Sequence, residues 1–218
     1  MVRYRQEFSR HIIRCVNKPM RVISGSARGR SLKAVPGMGT RPTTDKVKEA
    51  IFSMIGPYFD GGVALDLFAG TGGLGIEALS RGMEKAIFID KEFKSIETVR
   101  QNLKATGFEA NAEVYKNDAE RALKALAKRS AAVDLVFLDP PYRLKHGDTL
   151  MLMMDELKLL APQATIVLEY ESSYAYPERF GPFRQLRKAE YGETAVSIYA
   201  YDSEPNAVQT DDQGGATT

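Results

Sequence analysis

Cysteine and histidine are nearly missing from this 218-residue chain: Cys15 is the single cysteine, and His11 and His146 are the only histidines. One cysteine excludes an internal disulfide and suits a reducing compartment. Two distant histidines, with no Cys/His cluster, leave no ligand spacing for zinc, so no metal site is expected. No apolar run approaches the roughly 20 residues that a membrane helix needs, and the basic N-terminus lacks the apolar core of a secretory signal. No internal repeat is found. These absences point to a cytoplasmic protein, neither membrane-bound nor disulfide-stapled.

What is present is an ordinary globular composition, 44% hydrophobic and 27% charged, at a length that suits one α/β domain with an appendage. The net charge of +2 hides an asymmetry. Residues 1–48 hold twelve Lys/Arg against Glu7 and Asp45, a balance of +10, which leaves −8 for the rest. Residues 1–19 lack periodicity and are expected to be a poorly ordered extension, with Arg3, Arg5, Arg10 and Arg14 solvated. Arg21, Arg28, Arg30 and Lys33 interleave with the strand-like MRVIS and SLKAV around a Ser-Gly turn. They form either a phosphate-contacting hairpin or a solvated basic face. Pro42-Thr43-Thr44-Asp45 then caps an amphipathic helix over 46–55, with Val47, Ala50, Ile51 and Met54 on its packing face. Arg41-Pro42-Thr43 is the helix entrance or a rigid loop facing a ligand.

The chain is organised around VALDLFAGTGGLGIEALS, residues 63–80. A short apolar run ending in Asp66 reads as a buried parallel strand. Gly70, Gly72, Gly73 and Gly75 follow, and a helix continues from Ile76. Strand, glycine turn and helix make a cofactor cradle. Gly70, Gly72 and Gly75 satisfy G-x-G-x-x-G, and Asp90 ends the next apolar run, which is the dinucleotide pattern. Asp66 argues against a dehydrogenase, because a carboxylate beside the first glycine repels a pyrophosphate and suits an ammonium.

Strands at 86–90, 112–116, 133–139 and 164–170 alternate with helices at 93–106, 119–129 and 150–160, the pattern of a parallel sheet covered on both faces. The runs 183–191 and 194–201, joined by Gly192-Glu193, predict an antiparallel hairpin that closes the sheet as in methyltransferases rather than dehydrogenases. Residues 203–218 read as a disordered tail.

Four carboxylates fall at strand ends. Asp66 suits an amino-acid ammonium, Asp90 ribose hydroxyls and Asp118 an adenine amine, with Lys91 and Ala119 flanking them; the set suits S-adenosylmethionine. Asp139-Pro140-Pro141-Tyr142 is more specific. Two prolines after a buried strand fix the backbone and leave outward carbonyls unpartnered. The Asp139 carboxylate and the Pro140 carbonyl can accept both hydrogens of a planar exocyclic amine, aim its lone pair at a methyl group, and leave Tyr142 to stack on the base. Such a base must be unpaired or flipped. Arg143 and Lys145 are candidates for phosphate contact, His146 reads as a solvated loop residue, and the methionines of 151–154 as helix core.

Together MRVISGSARGRSL, RPTTDKVKEAIF, LDLFAGTGGLGIEALSRG, DLVFLDPPY and YGET resemble the RsmD family of 16S rRNA guanine-N2 methyltransferases, over about residues 20–201. The resemblance implies an α/β, class I S-adenosylmethionine-dependent methyltransferase (Rossmann-like) fold. Its sheet is mostly parallel and seven-stranded, with a basic hairpin and helix over 20–60 ahead of a methyltransferase domain over 61–202. It implies methyl transfer to the N2 amine of one guanine, guanine 966 of 16S rRNA, in a small ribosomal subunit or its assembly intermediate. Asp139, Pro140, Pro141 and Tyr142 would orient the guanine. Arg41, Thr43, Asp66, Phe68, Gly70, Gly72, Asp90, Lys91, Asp118, Ala119 and Asp139 would line the cofactor, and a monomer is expected. Two rivals stay open: an adenine-N6 methyltransferase sharing the Asp-Pro-Pro-Tyr chemistry, and a non-catalytic nucleic-acid binding module.

Overall fold

The structure, a computed structural model, describes residues 20–37, 45–129, 132–140 and 146–203. The expectations for 1–19, for 204–218, and for Arg41, Thr43, Pro141, Tyr142, Arg143 and Lys145 lie outside the described residues. In chain order the elements are α1 (Asp45–Ile55), β1 (Val63–Asp66), α2 (Gly73–Ser80), β2 (Lys85–Asp90), α3 (Phe93–Thr106), β3 (Ala112–Lys116), α4 (Ala119–Ala127), β4 (Val133–Leu138), α5 (Gly147–Glu156), β5 (Leu160–Glu171), β6 (Arg179–Phe180), β7 (Phe183–Tyr191) and β8 (Thr194–Tyr201).

The strands form one sheet in the order β3-β2-β1-β4-β5-β8-β7-β6. β1 to β5 are parallel, and β8, β7 and β6 add antiparallel. Seven strands match the expected closure by a hairpin. The eighth, β6, is a two-residue addition at the edge. The chain starts at the centre with β1, winds out to β3 and crosses back to β4, so the carboxyl ends of β1 and β4 flank a topological switch point.

Central strands are buried on both faces, which is why they read as continuous apolar runs. Leu65, Ile87 and Val136 pack with Leu123 of α4 and Met151 of α5. Ala64, Phe88 and Phe137 pack on the other face with Phe52 of α1, Ile76 of α2 and Val99 of α3. Val22, Ala27 and Leu32 of the basic segment join that second core.

Local differences from the expectation have physical causes. In α1 the fully buried residues are Lys48, Ile51 and Phe52, because Lys48 has anionic and carbonyl partners inside, described below. α5 ends at Glu156, four residues early, because Lys158 takes a left-handed conformation (φ 55°) and turns the chain into β5. The expected pair of short strands over 20–35 is reduced to one bridge, Arg21 to Ser31, flanked by Val22 N–H to Arg30 C=O at 2.9 Å and Leu32 N–H to Met20 C=O at 2.6 Å. This hairpin is held mainly from outside, by α2. Gly25 (φ 79°) sits so close to that helix that a Cβ would lie 1.7 Å from the Ser80 carbonyl oxygen.

Candidate active site

Asp66 closes β1, and the chain then turns through Leu67–Gly72 into α2. Gly70 (φ 52°) and Gly72 (φ 76°) take conformations that a Cβ disfavours. Gly75 serves packing: a Cβ there would lie 2.3 Å from Cε1 of Phe88, so its absence lets α2 lie on β2. The Asp66 Oδ2 accepts the Gly75 amide at 3.1 Å. Burial pushes the Asp66 carboxyl up to about 7, against that hydrogen bond and with help from the charges of Asp139 and Asp90.

Asp90 bridges two segments. One oxygen accepts the Gly70 amide at 2.8 Å and the other the Glu92 amide at 2.8 Å, and each retains capacity for a further donor such as a ribose hydroxyl. Asp139 follows β4 directly, beside Asp66 across the β1–β4 pair, where Asp66 is in register with Phe137. Burial pushes the Asp139 carboxyl up to about 6. Pro140 is buried. Three carboxylates therefore converge on the carboxyl edge of the sheet, an environment that favours a cationic ligand and penalises an anionic one.

Other expected residues are placed less directly. Asp118 caps α4, accepting the Arg121 amide at 3.0 Å and pairing with its guanidinium at 3.3 Å; this capping role is what a strand-end acid often has. Phe68 is partly buried against the α4/α5 core, Lys91 is exposed, and Ala119 opens α4. Arg21 pairs with Asp45 at 3.0 Å, Arg30 donates to the Ala105 carbonyl at 2.9 Å, and Lys33 donates to Gln101 at 3.0 Å. Arg28 is exposed on the turn. His146 is exposed ahead of α5, as expected. A cavity of about 300 Å³ lies at the opposite, amino end of the sheet, lined in part by Phe59, Met83, Asp134 and Thr165, away from all of these carboxylates.

Sequence reasoning missed Glu77. It is fully buried, accepts the Ile23 and Ser24 amides at 2.8 and 2.9 Å, and pairs with Arg81 at 2.8 Å and Lys48 at 3.6 Å. Lys48 also donates to the Arg21 carbonyl at 2.5 Å, and Arg81 lies over the Phe52 ring, 4.6 Å from its centroid. The available signal was a glutamate inside the otherwise apolar helix GLGIEALS, with an arginine four residues on.

The family model described as conserved hypothetical protein 95 matches residues 20–200. The ribosomal RNA small subunit methyltransferase D of Escherichia coli (strain K12) is 32% identical over 185 residues, 85% of this chain and 91% of that protein. The chain belongs to the RsmD family. Within it, the Bacillus subtilis (strain 168) protein YlbH is 57% identical over 180 residues, 83% of this chain and 98% of that protein. The structure of Escherichia coli yhhF, 30% identical, superposes with a TM-score of 0.73 over 85% of this chain and 99% of that one. An RNA methyltransferase of Salinibacter ruber, solved with S-adenosyl-L-homocysteine, has a TM-score of 0.58 at 19% identity, covering 77% of this chain and 98% of that one. That likeness speaks to the class I methyltransferase fold alone.

Proposed function

We propose that this protein transfers a methyl group from S-adenosylmethionine to the exocyclic N2 amine of a guanine in 16S rRNA, guanine 966 by family resemblance, presented by a small ribosomal subunit or its assembly intermediate. The observation that carries the reading is the placement of Asp139-Pro140 directly after β4, beside the buried Asp66 at the switch point, in a chain of this family. The crevice fits the cofactor: Asp66 meets the ammonium, Asp90 the ribose diol, and the bare backbone of Gly70–Gly72 lets the ligand lie close. Asp118 and Ala119 would edge the adenine, and Phe68 and Lys91 would complete the lining; Arg41 and Thr43 are assigned to the methionine end by family resemblance alone.

When bound, the cofactor supplies an electrophilic methyl on a sulfonium. The protein's own task is placement. Asp139 and the Pro140 carbonyl accept the two amine hydrogens and so free the nitrogen lone pair for attack, a task in which family resemblance alone gives Pro141 and Tyr142 the roles of stiffening the turn and stacking on the base. Attack by that nitrogen would take the methyl and release S-adenosylhomocysteine with the C–S electron pair. The cationic nitrogen then loses a proton to Asp139, whose raised affinity suits that uptake, and from there to solvent.

Mass spectrometry of nucleosides tests the reading, using small subunits from a strain that lacks the enzyme, incubated with purified protein and cofactor. New N2-methylguanosine is the expected result. N6-methyladenosine would favour the adenine reading, and no methylated nucleoside alongside retained RNA binding would favour a binding module.

Two further outcomes follow. Asp66 must be ionised to hold an ammonium, so S-adenosylhomocysteine affinity should fall as pH drops through about 7, as calorimetry would measure. Because this carboxyl's folded value lies above its ordinary 3.8, the folded apo protein binds the extra proton between the two values, and its own stability should fall as pH rises through that window. The two trends run in opposite directions, which separates them. For RNA, Arg28→Gln removes an exposed cation and should lower the magnitude of the salt slope of subunit binding by about 0.7 without changing the base methylated. An unchanged slope would argue for a purely structural turn. Arg30 is a poorer probe, since it also holds the Ala105 carbonyl.

A further inference from the structure

The basic hairpin is bonded to the cofactor-bearing part of the fold through its backbone as well as through the side chains of Arg30 and Lys33. Glu77 takes the Ile23 and Ser24 amides. Ser80 takes the Ala27 amide on its hydroxyl at 3.0 Å, donates that hydroxyl to the Ser24 carbonyl at 2.6 Å, and takes the Ser26 amide on its carbonyl at 2.8 Å. This arrangement leaves the side chains of Arg28 and Lys33 exposed outward. One residue among these contacts does more. Asn102, fully buried on α3, accepts the Lys33 amide on Oδ1 at 2.7 Å, and its amide nitrogen donates both to the Lys33 carbonyl at 3.0 Å and to the Thr71 carbonyl at 2.9 Å. Thr71 lies inside the glycine loop, between Gly70 and Gly72, and its hydroxyl also reaches the Met20 sulfur at 3.7 Å.

We propose that Asn102 is a positioning residue that couples the hairpin to the glycine loop, so that cofactor binding and RNA binding strengthen each other. The proposal rests on reading the hairpin as an RNA contact. All three hydrogen bonds go to backbone atoms that cannot be exchanged by mutation in Lys33 or Thr71, and a planar amide with one acceptor and two donors satisfies all three partners at once. A carboxylate, an alcohol or an alkyl group satisfies fewer, leaving a buried carbonyl or amide unpaired. The glycine loop is the segment expected to settle onto the cofactor. A shift at Thr71 is transmitted through one rigid side chain to Lys33, and by linkage the effect is reciprocal.

The test measures S-adenosylhomocysteine affinity by equilibrium dialysis with and without small ribosomal subunits from a strain lacking the enzyme. It compares wild type, Asn102→Ala and Lys33→Ala at one salt concentration and pH. Wild type should bind the cofactor product at least about fivefold tighter with subunits present. Asn102→Ala should show nearly equal affinity in both conditions. Lys33→Ala, which keeps the backbone groups that Asn102 holds, should bind subunits more weakly yet retain the wild-type ratio. A wild-type ratio in Asn102→Ala, or a ratio of one in wild type, overturns the proposal. If the alanine variant fails to fold, amide exchange in the wild type decides: adding S-adenosylhomocysteine alone should slow exchange at Lys33, and unchanged exchange overturns the coupling. Absence of subunit binding by wild type overturns the RNA reading, and the exchange result then judges the Asn102 link by itself.

Discussion

Asp139→Ala is expected to lower the rate of methyl transfer about a thousandfold while changing S-adenosylhomocysteine affinity by less than about threefold. The carboxylate is the group placed to accept a hydrogen of the target amine and then its proton, so its loss removes both the aiming of the lone pair and the proton acceptor. Cofactor binding should survive for an electrostatic reason as well. Asp139 adds to the rise of the Asp66 carboxyl, so removing it lets Asp66 ionise more readily and hold the ammonium at least as well. Asp139→Asn separates the two duties. It keeps an acceptor oxygen and loses the basic one, so it should retain more activity than the alanine variant and lose the fall in rate expected of the wild type as pH drops through about 6. Single-turnover kinetics on subunits, with calorimetry for the cofactor, measures each quantity. Equal losses of turnover and cofactor affinity in Asp139→Ala would remove Asp139 from the role of target ligand.

Glu77→Ala should destabilise the fold by about 3–5 kcal/mol, the range for stripping one partner from a buried ionic cluster. Lys48 and Arg81 would be left as buried cations, and the Ile23 and Ser24 amides would lose their acceptor. Glu77→Gln keeps the shape and an acceptor oxygen, so it should cost less, though it still leaves two cations facing a neutral amide. By contrast Asp45→Ala, which breaks the exposed pair with Arg21 and leaves the buried cluster its glutamate, should stay within about 1 kcal/mol. Urea denaturation of the three variants supplies the comparison. A Glu77→Ala value inside the range of the exposed pair would mean that water reaches the cluster and that the hairpin is held by apolar packing alone.

Much of the architecture could be read from the chain because its signals are local. The runs VALD, KAIFID and VDLVFL are apolar throughout, so both faces must be covered, and the helices between them have 3.6-residue periodicity. Asp66, Asp90 and Asp139 could be picked out because each ends such a run, and strand ends in this topology face one crevice. Asp118 shows the limit of the same rule, since a strand-end acid is also a helix cap and here makes the capping bond.

What the residues could not announce is which partners fold back on them. Lys48 reads as a solvated helix residue until Glu77 and the Arg21 carbonyl are placed beside it. Asn102 reads as one polar residue in QNLKAT until the Lys33 and Thr71 backbones converge on its amide. The wound sheet, the glycine turn, the strand-end carboxylates and the family were legible in the residues alone, because period, turn chemistry and motif spacing are set within a few positions. Folding in three dimensions was needed to show that the basic hairpin rides on α2 and α3 through buried polar side chains, and that the charge of Asp139 perturbs Asp66. Burial and long-range hydrogen bonding depend on segments dozens of residues apart, and local spacing carries no record of them.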